Sequence, residues 1–425
     1  MEGGSRDLAI EIEHLEREWT KTLQDVNPPE MDEIHMQSIY RVPPNIRDYN
    51  PKAYTPQIVS VGPYHHNSFE AMEKLKLKYL KGLLNRTEIP IREFLAKIKD
   101  LEEKIRVCYA DRIIYQGHDF LNMILVDACF IIELFLRCHD YYGWKGKDPL
   151  LLKPLLENNI CVDLLILENQ LPFFVLEQLY NLIGMNEKLL DITFDYFERI
   201  PLGIVCPRES PKHFTDLLRS CIISSSELGL GKPEEGKEVN HVYSASQLME
   251  AGLKFKISPN KSLLDLTYSK HGVLSMPIFN IDDSTEVLLK NMMAYEQCHP
   301  SATDIITQYV VILDFLINTE KDVDVLIDKK IIVNLMGDAN KVVTMINNLN
   351  SNLPMTYFNS HYFSICNSLN EFYENPRNKY KAIFVHEYFN TPWKIASTIA
   401  AIVLLLLTFI QTVCSILSLF QGKKL

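Results

Sequence analysis

Asp119-Phe120-Leu121-Asn122-Met123-Ile124-Leu125-Val126-Asp127-Ala128-Cys129-Phe130-Ile131-Ile132-Glu133-Leu134-Phe135-Leu136-Arg137-Cys138 is the stretch that decides the fold. Its apolar side chains cover the whole circumference of a helix, so other elements have to enclose it. The neighbouring patterns Phe69 to Asn85, Ile91 to Cys108 and Phe214 to Ile223 are helical too, and Cys161 to Leu167 is another apolar run. Pro172 opens a further helix through Phe173, Val175, Leu176, Leu179 and Tyr180, at a first-turn position where its missing donor is harmless. The expected fold is mainly α.

Upstream, Leu8, Ile12, Leu15, Trp19, Leu23 and Val26 form one stripe of an amphipathic helix over residues 1–27, which Pro28-Pro29 ends. Docking of this stripe on the protein's own body is the expectation, since a coiled coil needs sustained heptads; a third reading makes it an oligomerisation device. Between Ile39 and His66, Pro43, Pro44, Pro51, Pro56 and Pro63 remove donors and disfavour helix, leaving extended chain with at most short strands such as Ile58 to Val61.

Downstream, residues 224–241 are rich in Ser, Gly, Glu and Lys and read as a linker between an N-terminal helical lobe (28–223) and a C-terminal α+β lobe (242–390). Gly231 to Lys237 mimics the start of a phosphate-binding loop, but Glu238 replaces the Ser/Thr and no apolar strand precedes it, so no cofactor is expected. Beyond it, Ser244 with Gln247 and Asp283 with Glu286 fit capping boxes. Phe255 to Ile257, Leu263 to Leu266, Val273 to Ser275 and Ile278 to Ile281 read as a small β-sheet. Helices are expected at Asp304 to Ile317, Lys321 to Leu335 and Asp338 to Leu349, then from His361 toward the last segment.

That segment, residues 391–425, contains no charged side chain from Ile395 to Phe420. A helix needs roughly 20 apolar residues to cross the ~30 Å hydrocarbon core, so this run is a transmembrane anchor, with Trp393 and Lys394 at one end and Lys423 and Lys424 at the other suited to the interfaces. The acidic N-terminal helix offers no signal-peptide core. With Phe420 so close to Leu425, insertion is expected after translation, leaving the body cytosolic; plasma membrane and endoplasmic reticulum both stay open. Nine irregularly spaced cysteines form no disulfide framework and fit a reducing compartment. The acceptor patterns Asn85-Arg86-Thr87 and Asn260-Lys261-Ser262 matter only if the topology is reversed. A composition 47% apolar and 23% charged suits a folded body, and a net charge of −11 with no basic run argues against nucleic acid as a partner.

Four stretches together resemble a plant family known as domain of unknown function 247: Tyr54 to His66 (YTPQIVSVGPYHH), Met123 to Glu133 (MILVDACFIIE), Leu164 to Phe174 (LLILENQLPFF) and Ala245 to Gly252 (ASQLMEAG). The resemblance covers Ile39 to Phe420 and implies a helical body ending in one membrane helix. It attaches no catalytic role; the association of some members with pollen–pistil self-recognition implies interaction and signalling rather than chemistry.

Candidate site residues follow from polar groups set in apolar surroundings. Glu168, Asn169 and Gln170 precede Pro172, and an enzymatic reading uses Glu168 as acid or base helped by Asp127 and Glu133. The competing and favoured expectation is structural: these side chains satisfy backbone donors at the following helix end, because an unpaired buried polar group costs about 1–3 kcal/mol. Asp127 and Glu133, about 240° apart on a helix, should each meet a separate partner. His65 and His66, adjacent in extended chain, should point apart and so not share a metal. With no Gly-x-Ser-x-Gly, His-Glu-x-x-His or kinase motif, the expected function is a membrane-anchored interaction protein with an unidentified protein partner; the alternative is an enzyme of another class using Glu168 and Asp127.

Overall fold

The computed structural model describes residues 3–24, 36–260, 262–351, 357–378, 380, 383–384 and 392–421. Helices longer than one turn are α1 Gly3–Gln24, α2 Glu70–Thr87, α3 Ile91–Val107, α4 Gly117–His139, α5 Pro154–Asp163, α6 Phe173–Ile183, α7 Leu189–Phe197, α8 Phe214–Ser225, α9 Ala245–Glu250, α10 Thr285–Cys298, α11 Ile305–Leu316, α12 Glu320–Asp328, α13 Ala339–Leu349, α14 Ser360–Glu374 and α15 Pro392–Gln421. The chain is mainly helical, and α4 is its central element: Phe120, Ile124, Ala128, Cys129, Phe130, Ile131, Ile132 and Leu134 are fully buried, with α2, α3, α6 and α7 packed around it. One continuous apolar core runs from Ile39 to Leu369 and so includes residues on both sides of 224–241. Beyond the end of α8 at Ser225 that loop is irregular, and it is tied down where Glu234 N donates to Phe358 O at 3.1 Å and Phe358 N to Lys237 O at 2.9 Å.

The strands are β1 Lys254–Ile257, β2 Thr267–Ser269, β3 Val273–Met276, β4 Phe279–Ile281 and β5 Ile332–Asn334. They form a sheet in the order β1-β3-β2 and a parallel pair β4-β5. Leu263 to Leu266 is not a strand; Leu263, Leu264 and Leu266 are buried in irregular chain, and the ladder begins only at Thr267. The helix expected through Leu335 stops at Asp328, because Lys330 turns left-handed (φ 58°) and the β-branched Ile332 and Val333 pair with Phe279 and Asn280. Of the capping boxes, Ser244 with Gln247 forms. Asp283 does not cap α10: Asp282 Oδ1 accepts from Ser284 N and Thr285 N at 2.9 and 3.1 Å instead.

Ile58 to Val61 forms no strand, since its amide groups bond to side chains rather than to a neighbouring strand. Among the described side chains of the α1 stripe, Ile12, Leu15, Trp19 and Leu23 are all exposed rather than docked on the body, and Val26 lies outside the described residues. Pro28-Pro29, Lys423 and Lys424 lie outside the described residues. Helix α15 contains the one segment, Ile395–Ser415, long and apolar enough to cross a membrane among the described residues, and none of it is buried against the body.

Candidate functional site

A proline-rich segment cannot complete a β-ladder, yet its buried peptide groups still need partners. Here the partners are side chains. Asp163, the last residue of α5, accepts from the amides of Gln57, Ile58 and Val59 at 2.9, 2.6 and 2.9 Å. Asn169 accepts from Val61 N at 2.6 Å and donates through Nδ2 to Val59 O and Asp163 O, both at 2.9 Å. From α4, Asp127 Oδ2 accepts from Gly62 N at 2.9 Å. Glu168 Oε1 accepts from Val42 N at 2.8 Å and from Arg47 Nη1 at 2.5 Å. Gln170 faces the other way: its Nε2 donates to Leu164 O and Ile166 O at 2.7 Å each, and its Oε1 accepts from Phe214 N at the start of α8. Glu168, Asn169, Gln170, Asp127 and Asp163 are all buried. They form a clamp that staples residues 42–62 and α8 onto the α4–α5 core. The donors they satisfy thus belong to the preceding segment and to α8, not to the start of α6 as the sequence suggests.

Inside the clamp lies a lysine. Lys76 of α2 is fully buried, and its Nζ donates to Asp127 Oδ1 at 2.7 Å, Glu73 Oε1 at 2.6 Å and Ser60 O at 2.5 Å. Burial pulls the ammonium toward neutrality, but the Asp127 and Glu73 carboxylates more than offset this and hold its pKa above the usual lysine range. Burial raises Asp127, against the pull of Lys76. Burial also opposes ionisation of Glu168, but His65, Val42 N and Arg47 together keep its carboxyl below the usual range.

The two histidines diverge. His65 Nε2 lies 3.2 Å from Glu168 Oε2, without hydrogen-bond alignment. His66 sets its ring against the edge of Tyr115, with centroids 5.1 Å apart, and with Glu73, Asp119, Asn122 and Asp127 it lines an open cleft of about 390 Å³ beside the clamp. Glu168 does not face that cleft, so the enzymatic pair Glu168 and Asp127 shares no cavity there. Glu133 points elsewhere, to Arg86 at 3.0 Å and Arg137 at 2.7 Å. Among the described residues no group of three or more His, Cys, Asp or Glu side chains is placed to hold a metal ion.

Several buried charges escape a reading by motif: Lys76, the pair Arg137 and Asp148, and Arg219 with Glu296. Lys76 had a signal, because it falls on the apolar stripe Met72, Tyr79, Leu80 and Leu83 of its own helix. His213 is another. It is fully buried, with Nε2 2.9 Å from Ser38 O and Nδ1 accepting from Asp216 N at 3.3 Å, a pairing that requires the neutral ring.

Burial depresses the His213 pKa from 6.5 to about 4, and that of His299 likewise to about 4. Between those values the unfolded chain binds a proton that the folded chain refuses, so stability falls as pH drops from 6.5 toward 4. Asp163, pushed by burial up to about 6, works in the opposite sense. Comparing wild type with His213→Gln isolates the histidine: thermal melts from pH 7 to 4.5 should show the wild type losing on the order of 2–3 kcal/mol more than the variant. Parallel curves would show that His213 titrates normally.

A helical body clamped around a proline-rich segment, with one exposed apolar helix after it, defines a class with no assigned chemistry. The chain belongs to the DUF247 family, described as a plant protein of unknown function, which it matches over residues 39–407. It is 31% identical to the UPF0481 protein At3g47200 of Arabidopsis thaliana over 91% of this chain and 87% of that protein. It is 23% identical to the putative UPF0481 protein At3g02645 of the same plant, over 95% of this chain and 96% of that protein. No solved structure matches the chain.

Proposed function

We propose that this chain is a single-pass membrane protein whose cytosolic helical body recognises a protein partner rather than transforming a substrate. The observation that carries the reading is the helix Ile395–Ser415, predominantly apolar and free of charged side chains, with no part of it covered by the body. An isolated apolar surface of that extent is costly in water and favourable in hydrocarbon. The clamp supports the second half of the reading: Glu168 and Asp127, the carboxylates best placed for acid–base work, are engaged by Arg47, Lys76 and backbone amides. Support for a cytosolic side comes from the cysteines. All nine are free thiols, and burial pushes Cys129, Cys161 and Cys366 up to about 12, which keeps them protonated and unreactive.

Fractionation tests the anchor. The full chain should stay in the pellet through alkaline carbonate extraction, and deletion of residues 392–425 should move the body to the soluble fraction. Extraction of the full chain by carbonate would end the anchor reading. Protease added to sealed microsomes should digest the body, and endoglycosidase should leave its mobility unchanged. A glycan on Asn85, which is exposed at the end of α2, would place the body on the luminal side.

A further inference from the structure

The polar side chains of the apolar helix are not scattered. At about 100° per residue, Ser397, Ala401, Thr408, Gln411, Thr412 and Ser415 fall within a sector of roughly 100° that also holds Leu404, with Thr398 just beyond its edge, whereas Ile399, Ile402, Val403, Leu406, Phe409 and Ile410 occupy the opposite side. The hydroxyls of Thr408 and Thr412 are already satisfied within the helix, donating to Leu404 O and Thr408 O at 2.8 Å each. Gln411 differs. Its amide carries two donors and an acceptor, and among the described residues that side chain has no hydrogen-bond partner. In hydrocarbon such a group is strongly driven to find one.

Among the described residues Ile395–Ser415 is the one candidate span, so none of them offers it a partner from a second span. We infer that α15 pairs with α15 of a second copy of this chain through this face, the two Gln411 amides hydrogen-bonding to each other across the interface. A primary amide is self-complementary: the carbonyl oxygen of each copy accepts an N–H of the other, as a two-fold symmetric contact requires. Ala401 and Ser415 leave the helices room for close approach, and the hydroxyls flank the amide pair with polar surface. The opposite face, all large aliphatic and aromatic side chains, suits lipid. The inference rests on the membrane reading above.

The test is cysteine cross-linking of the full chain in native membranes. In a Cys414→Ala background, Ser415→Cys on the polar face is compared with Ile410→Cys on the opposite face under a mild oxidant. A disulfide-linked dimer is expected for Ser415→Cys at several times the yield for Ile410→Cys. Gln411→Leu added to Ser415→Cys should lower that yield about fivefold or more, and Gln411→Asn should restore most of it. Equal yields from both faces, or a yield indifferent to Gln411→Leu, would overturn the pairing. Carbonate extraction of the same membranes separates the two failures: a chain that resists extraction but stays monomeric loses only the pairing, whereas an extracted chain loses the anchor as well.

Discussion

Gly62→Ala in the full-length chain is expected to cost on the order of 3–5 kcal/mol and to lower the unfolding midpoint of the detergent-solubilised protein by roughly 5 °C. Two effects add at this position. Gly62 has φ +73°, where any residue with a Cβ loses about 1–2 kcal/mol. A Cβ there would also lie 2.4 Å from the carbonyl oxygen of Gln170, a backbone atom. That oxygen cannot retreat, because it accepts from Tyr109 at 2.9 Å while the Gln170 side chain is bonded to Leu164, Ile166 and Phe214. Either the proline-rich segment moves, which breaks the Gly62 N to Asp127 bond, or the Gln170 turn moves, which uncaps α8. Gly184→Ala separates the terms, since Gly184 has φ +69° with no atom near its Cβ position. It should cost only the backbone penalty, about 1 kcal/mol. Equal effects from the two variants would mean that the close approach of Gly62 to Gln170 contributes nothing.

Helices with a strong apolar period were readable from sequence because burial and periodicity agree in them. The central helix, α2, α3, α8, α11 and α13 lie where their patterns place them, within a few residues. The misses occur where long-range pairing decides. Ile332 to Asn334 carries no turn signal before it, and it becomes a strand because β4 offers it an edge. Ile58 to Val61 looks like a strand and is not one, because α4, α5 and the Glu168–Gln170 turn supply the partners that a neighbouring strand would otherwise have provided. The candidate residues were visible as polar groups in apolar context; their partners were not. Glu168 meets Val42 and Arg47 across more than a hundred residues of chain, and no local pattern encodes that separation. Lys76 was the readable exception, a cation on an otherwise apolar stripe that requires a buried acceptor.

Lys76→Met should be among the most damaging single changes in the body, costing about 3–5 kcal/mol at pH 7, because it strands the almost wholly buried Asp127 carboxylate without its cation. What is lost is mainly the compensation of that charge. Asp127 keeps its bond from Gly62 N, but no cation remains against Oδ1. The double variant Lys76→Met, Asp127→Asn should therefore regain much of the loss, since an amide oxygen can still accept from Gly62 and no charge is buried. Its pH dependence identifies the cause. Burial already raises Asp127 above its ordinary value with Lys76 present, so removing Lys76 raises it further. The folded single variant then binds a proton that the unfolded chain, titrating near 3.8, does not, and its stability should rise as pH falls from 7 toward 5. The double variant lacks the Asp127 carboxyl and should show only the pH dependence it shares with wild type, to which Asp163 contributes. Chemical denaturation of the three proteins at pH 7 and pH 5 reads this directly. If the single variant is equally damaged at both pH values and Asp127→Asn rescues nothing, the loss arises from packing around the substituted side chain and the orphaned Ser60 carbonyl, and the buried Lys76–Asp127 pair is not what holds α2 to α4.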